Sequence, residues 1–287
     1  MPKISNTMKL LNGKKLAEEI LENLKKEIKK KKLKLRLAVV QIGKNPISQI
    51  FINQKKKACK KIGIDFKLYQ LKERVNPAQL KKKISEIVSN PENSGIVIQL
   101  PLPKNLDIQE ILNTIPLKKD VDVLSEESLG KFYVSALPIL PPTLQGIIYL
   151  LKKYRIKVRG RYVVVVGVGR LVGNPLALWL LYEKATVSAV TEFTKDASFF
   201  TEKADILVSG VGKPNLIRAD MVKKGVIVID AGCSMKSGKL VGDVDFKNVS
   251  KKASYITPVP GGVGPMTVAC LLENLVKLKK YEYSSNY

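Results

Sequence analysis

Four consecutive valines run directly into a glycine loop in "RYVVVVGVGRLVG" (161–173), and no other segment limits the possible folds as strongly. This is the most hydrophobic strand pattern in the chain, and the glycines that follow it lead into a helix beginning near Gly173. In that context, backbone N–H groups at a helix start can receive the pyrophosphate of a dinucleotide. Gly167 would permit the tight turn and Gly169 would let the backbone approach the phosphates. The spacing is GxGxxxG rather than GxGxxG, so a purely structural turn is the competing reading, made weaker by the valine run before it.

The segment after the next strand bears on which dinucleotide would bind. An acid at the end of the second strand accepts hydrogen bonds from the adenosine ribose of NAD, whereas NADP needs a cation there. Glu192 follows a strand expected at 185–190 and lies 25 residues after Gly167. It would repel a 2′-phosphate; a solvated surface glutamate is the alternative.

The remaining pattern alternates strands and helices. Apolar residues at helical spacing (Leu16, Ile20, Leu21, Leu24, Ile28) predict an amphipathic helix over 13–32. Strands are expected at 35–43, 66–71 and 95–100, the last stopped by Pro101 and Pro103. Ser48 is a candidate cap for a helix at about 49–62, and another helix is expected at about 77–89. The proline-rich stretch 137–145 reads as a domain junction, followed by a helix at about 146–154. Further strands are expected at 205–209 and 226–230, a loop at 256–265 and a last helix at about 266–281. The expected fold is α/β, with mostly parallel sheets covered by helices. It comprises an N-terminal α/β domain (1–145), a Rossmann-like domain (146–265) and a C-terminal helix (266–287) packing back on the first.

Composition narrows the chemistry. The chain has 287 residues, enough for two domains. It has no apolar run long enough for a bilayer and no secretory pattern, which predicts a cytoplasmic protein with no membrane partner. The formal charge is +25, yet only seven of the 50 basic residues are arginine. The lysines are spread along helices without aromatic interleaving, which argues against a nucleic-acid partner and for solvated faces or a field that draws in an anionic substrate. There is no histidine, so proton transfer falls to Lys, Asp, Glu, Tyr, Cys or water. Cys59, Cys233 and Cys270 are too dispersed for a disulfide framework or a zinc site, and no metal is expected.

Read together, distant segments carry a resemblance. "NGKKLAEEI" (12–20), Ser48-Gln-Ile-Phe-Ile-x-x-Lys55, "IQLPLP" (98–103), "KDVD" (119–122), "VGNP" (172–175), "VGKP" (211–214), "GDV" (242–244) and "YITPVPGGVGPMTVA" (255–269) follow one another as in the bifunctional methylenetetrahydrofolate dehydrogenase/cyclohydrolase family. The sequence resembles that family over nearly its whole length. The resemblance implies oxidation of 5,10-methylenetetrahydrofolate with NADP or NAD, and hydrolysis of the methenyl product to 10-formyltetrahydrofolate. It assigns the cyclohydrolase lysine to Lys55, its hydrogen-bonding partner to Gln99, and the carboxylate that holds the pterin to Asp122. Ser48, Phe51, Pro101, Gly262 and Pro265 fall on substrate-binding positions. Gly167, Val168, Gly169, Val172, Gly173, Pro175, Glu192, Thr194, Gly210, Val211, Gly212 and Gly232 fall on cofactor-binding ones. It further implies a folate substrate, polyglutamylated in the cell, and a homodimer formed through the cofactor domains.

The departures from the family pattern cluster at these positions. Phe51 replaces the tyrosine four residues before the lysine, keeping a ring but losing its hydroxyl. Val123-Leu124 replaces the usual Gly-Phe, and "PPTLQG" (141–146) replaces "PCTPxG". Val168-Gly169 stands where Arg-Ser is common, removing a cation for a 2′-phosphate and, with Glu192, favouring NAD. A family member that has lost one activity, or binds ligands without turnover, is the alternative reading. Residues 1–7 are expected to be an unstructured extension before the family-like segment.

Overall fold

A computed structural model describes residues 8–73 and 76–284, with side chains through Tyr281; the extension expected at 1–7 lies outside the described residues. The strands are β1 (Lys9–Leu10), β2 (Arg36–Ile42), β3 (Asp65–Leu71), β4 (Gly95–Ile98), β5 (Tyr162–Val166), β6 (Thr186–Val190), β7 (Ile206–Ser209), β8 (Ile227–Asp230), β9 (Ser234–Lys236), β10 (Lys239–Val241) and β11 (Tyr255–Ile256). The chain divides into two compact units. One joins the residues up to Leu16 with Thr143–Thr267; the other joins Ala17–Pro142 with the chain from Val268 onward. The division falls inside helices Gly13–Lys30 and Val263–Ser284 and just after the first residue of helix Pro142–Lys153.

In the Ala17–Pro142 unit, three parallel strands stand in the order β3-β2-β4. Leu37 to Ile42 of the central strand are all buried, as required of a strand covered on both faces. Helix Pro46–Ile62 returns the chain from β2 to β3. Asn45 opens it, its side chain accepting from the Ser48 N–H (2.9 Å), with Pro46 in the first turn. Gly63 closes it at φ 82°, a left-handed position suited to glycine. The sequence had suggested Ser48 as the cap; it lies instead inside the first turn, because Asn45 is the residue outside the helix. Helix Pro77–Ser89 lays Leu80, Ile84 and Ile87 on β2 and β4 residues Ala38, Val40, Ile42, Ile96 and Ile98. The C-terminal helix packs on this same unit. Asn274 donates to the Val121 and Leu140 carbonyls (2.9 and 2.8 Å). A Cβ at Gly95 would lie 2.5 Å from the Leu275 side chain, so the glycine admits the helix onto the start of β4.

The Thr143–Thr267 unit holds a six-stranded sheet in the order β1-β11-β8-β7-β5-β6, parallel throughout. The valine strand β5 is an interior strand next to the edge, with Val163–Val166 buried, and the strand order reverses beside it: β6 lies on one side and β7 on the other. Ligands of such open sheets bind beyond the carboxyl ends of the strands at that reversal.

Several boundaries differ from expectation. The proline-rich junction gives way to helix at Pro142, because proline is tolerated in a first helical turn. The stretch read as a loop over 256–265 contains the end of β11 and the start of a helix at Val263. The β9–β10 hairpin and the two-residue strands β1 and β11 are too short to show a periodicity.

Candidate active site

One face of helix Pro46–Ile62 carries Ser48, Phe51, Ile52, Lys55 and Cys59, spaced so that they lie above one another. Lys55 is buried (6% exposed), and its Nζ donates to Gln99 Oε1 at 2.8 Å. Gln99 follows β4, where its N–H extends the ladder to the Val40 carbonyl, and its Nε2 donates to the Leu100 carbonyl (2.9 Å). Ser48 Oγ donates to that same carbonyl (3.1 Å), fixing the turn before the exposed Pro101. Burial pushes the Lys55 amine below its ordinary value, while the nearby Asp122 carboxylate acts in the opposite direction. Asp122 is half-buried, and desolvation pushes it up to about 6, with Lys55 pulling it down and Asp120 adding like-charge repulsion. Burial pushes the Cys59 thiol up to about 12, so it fills space as a neutral group.

The turn that holds Asp122 is built by a residue absent from the expected site. Asp120 is buried, and its Oδ2 accepts from the Leu124 and Ser125 N–H groups at 3.0 and 2.8 Å. Inside this clamp Val123 sits at φ 59°. Such a backbone suits glycine, the usual family residue at this point, and costs a β-branched side chain strain. Val123 is fully buried, so apolar burial offsets that cost.

In the Thr143–Thr267 unit, the three loop glycines meet different surroundings. Gly167 turns at φ 84°, and a Cβ there would strike the Val211 side chain at 2.7 Å. A Cβ at Gly173 would lie 1.9 Å from the Gly167 carbonyl oxygen, so this glycine lets helix Gly173–Tyr182 press against the loop. Gly169 has nothing within 4 Å of its Cβ position: the backbone there faces open space, as close approach of a ligand requires. Val172, before the helix, makes no side-chain cap, and Pro175 is buried in the first turn. Together these features form a cradle suited to a dinucleotide pyrophosphate.

Neighbouring loops complete this edge of the sheet. Beyond β6, Thr194 Oγ1 accepts from the Thr191 N–H (3.0 Å), and the turn leaves Glu192 exposed. Gly210, Val211 and Gly212 follow β7, and Gly232 follows β8. Gly262 and Pro265 belong to this unit, not to the one that holds Lys55. Gly262 is buried, its carbonyl oxygen 1.9 Å from where a Gly13 Cβ would stand, and Pro265 lies in the first turn of helix Val263–Ser284. Among the described residues, no group of three or more Cys, Asp or Glu could hold a metal ion, and no helix is long and apolar enough to cross a membrane.

Residues 11–122 match the catalytic-domain model of tetrahydrofolate dehydrogenase/cyclohydrolase, and residues 141–283 match its NAD(P)-binding domain. The chain belongs to this family. It is 46% identical over 277 residues to the bifunctional protein FolD of Nautilia profundicola, covering 95% of this chain and 98% of that one. To the FolD protein of Aquifex aeolicus it is 45% identical over 280 residues, covering 96% of each. Among solved structures, the bifunctional FolD of Campylobacter jejuni superposes with a TM-score of 0.90 at 44% identity, over 96% of this chain and all of that one. The Trypanosoma brucei enzyme, solved with NADP and an inhibitor, gives 0.91 at 32% identity over 99% of each chain. The unit holding β5 to β8 is therefore the family's NAD(P)-binding domain.

Sequence reasoning gave no role to Asp120, Asp230 or Asp243. The signal available for the last two was an acid close to a glycine, Asp230-Ala-Gly232 and Gly242-Asp243. It becomes interpretable only once the loops are seen to fold onto each other.

Proposed function

We propose that the protein oxidises 5,10-methylenetetrahydrofolate with a nicotinamide dinucleotide and hydrolyses the methenyl product to 10-formyltetrahydrofolate, acting in the cytoplasm. The observation that carries this reading is the buried Lys55 amine, hydrogen-bonded to Gln99 and beside Asp122. An amine whose proton affinity is lowered by burial can exchange a proton near neutral pH, whereas a solvated lysine stays charged. In this chain no histidine is available for that task.

A bound NAD(P) would supply the hydride acceptor, and the protein's part in that step is alignment. Gly167, Val168, Gly169, Val172, Gly173 and Pro175 would hold the pyrophosphate; Glu192 and Thr194 would flank the ribose. Gly210, Val211, Gly212 and Gly232 would line the remainder. In hydrolysis, water adds to the methenyl carbon and Lys55 takes a proton from it. As the bond from that carbon to N5 breaks, the proton held by Lys55 passes to N5, the hydroxyl proton leaves to solvent as the C=O forms, and the formyl group remains on N10. Gln99 orients the Lys55 amine throughout. Asp122 would accept hydrogen bonds from the pterin amino and ring N–H groups, and the Phe51 ring would stack on the pterin. Ser48 supports the Leu100–Pro101 turn on which the substrate would rest, and Gly262 and Pro265 would shape a folate-contacting loop.

NAD is the proposed dinucleotide. The exposed Glu192 carboxylate disfavours a 2′-phosphate, and the glycine loop has Val168-Gly169 where an arginine would help. The substrate in the cell would carry a polyglutamate tail, and the working form would be a homodimer joined through the NAD(P)-binding domains. The test is to mix purified protein with methylenetetrahydrofolate and each dinucleotide, measuring initial rates of dinucleotide reduction and of 10-formyl product. Both products should form, with NAD the faster oxidant. A clear NADP preference would remove the Glu192 argument, and ligand binding without turnover would show a degenerate family member.

A further inference from the structure

Two buried aspartates in the NAD(P)-binding domain form a chain of hydrogen bonds that ends on the loop Gly210–Lys213 after β7. Asp243 is fully buried. Its Oδ2 accepts from Ser209 Oγ and from the Val211 N–H, both at 2.7 Å, and its Oδ1 accepts from the Lys213 N–H at 2.8 Å. Asp243 is itself held by Asp230, whose carboxylate accepts from the N–H groups of Asp243 (3.1 Å), Val244 (2.9 Å) and Gly232 (2.9 Å). Two glycines make room for the pair. A Cβ at Gly232 would lie 2.1 Å from the Asp243 carboxylate, and one at Gly242 would lie 2.0 Å from Asp230 Oδ2.

Burying two carboxylates side by side is costly, and desolvation pushes Asp230 up to about 6. An asparagine could not replace Asp243, because three donors converge on its two oxygens and an amide offers only one acceptor. The loop it holds is the one that walls the glycine turn. The Val211 side chain lies against Gly167, and Val172, just before the helix, lies against Gly210.

We infer that Asp243, anchored by Asp230, is a positioning residue for dinucleotide binding: it fixes the loop Gly210–Lys213 against Gly167 so that the pyrophosphate cradle is formed before ligand arrives. This rests on the reading of that cradle as the dinucleotide site. In Asp243→Asn the amide nitrogen would face the Lys213 N–H, releasing one arm of the loop while keeping its shape and volume.

The test measures NAD and NADP dissociation constants, methenyltetrahydrofolate hydrolysis and thermal stability in the full-length protein. For Asp243→Asn we expect dinucleotide binding weakened roughly tenfold, in line with loss of a buried hydrogen bond to a charged group, with hydrolysis within about twofold of wild type. Val249→Ala, a core truncation in the same domain, should lower stability and leave the dissociation constants in place. Equal affinity in wild type and Asp243→Asn would overturn the inference alone. So would equal weakening by Val249→Ala at matched stability. Failure of the wild type to bind either dinucleotide would instead remove the underlying reading, and the inference with it. If Asp243→Asn does not fold, Asp230→Asn provides the same readout. It loosens the anchor of Asp243 and with it the loop, so weaker dinucleotide binding is expected; an unchanged affinity would overturn the inference that the anchored pair fixes the loop.

Discussion

Burying the Lys55 amine strips away the water that keeps an ordinary lysine charged, and the Asp122 carboxylate partly restores the preference for a proton. Each group therefore sets the other's titration. Removing the carboxylate in Asp122→Asn lets burial act with less opposition. The limb of the pH profile that rises as Lys55 loses its proton should then move to lower pH, measured as kcat for methenyl hydrolysis with the uncatalysed rate subtracted. A shift to higher pH would contradict the electrostatic picture. Asp122 itself binds its proton more tightly in the folded chain, about 6 against an ordinary 3.8. The folded state thus gains protons first as pH falls, and its stability relative to the unfolded chain rises through that window. Asp122→Asn should melt higher than wild type above pH 6, and the difference should shrink toward pH 4. Such a balance, with stability given up to hold a charged group at a site, is common where chemistry is done.

At the level of elements, the loop between β5 and its helix separates two uses of glycine. Gly173 is needed for packing, since a Cβ would overlap the Gly167 carbonyl, whereas Gly169 has open space around it. Gly173→Ala should lower stability by about 2 kcal/mol or more, the scale of overpacking at a closed contact, and should lose dehydrogenation. Gly169→Ala should melt like wild type and still bind NAD several-fold more weakly, because its methyl group would intrude only on a bound ligand. Melting curves and NAD titrations of the two variants check this; a Gly169→Ala protein with unchanged affinity would remove that glycine from the ligand's path.

The long elements were legible in the sequence because each carries its own signal: the buried runs of β2 and β5 and the helical period of the first helix, Gly13–Lys30. What stayed hidden depends on contacts made at a distance. β1 and β11 exist only through pairing with one another and with β8. Ser48 reads as a cap until Asn45 is seen to occupy that position. The Asp230–Asp243 pair joins the loops after β7 and β8 with the segment after β10, and the acid beside a glycine in each segment does not show that the two meet.

For the whole molecule, the candidate chemistry was read from a resemblance, not from local pattern. Lys55 alone is one lysine among many on a basic chain; it stands out because 44 residues later Gln99 meets its amine, and Asp122 is close enough to act on its charge. On the proposed reading, the two compact units hold two tasks, proton transfer around Lys55 in one and dinucleotide binding beyond the ends of β5 to β8 in the other. A substitution at Lys55 should therefore leave dinucleotide binding standing. In the proposed reaction Lys55 serves hydrolysis and not oxidation. The direct test is a single progress curve for Lys55→Met with methylenetetrahydrofolate and NAD, recording reduced dinucleotide, methenyl and 10-formyl compounds together. The account predicts reduced dinucleotide and methenyltetrahydrofolate rising in equal amounts, with 10-formyl formation at least ~100-fold slower than wild type, the usual minimum for a lost acid–base group. Formation of 10-formyltetrahydrofolate at the wild-type rate by that variant would contradict it.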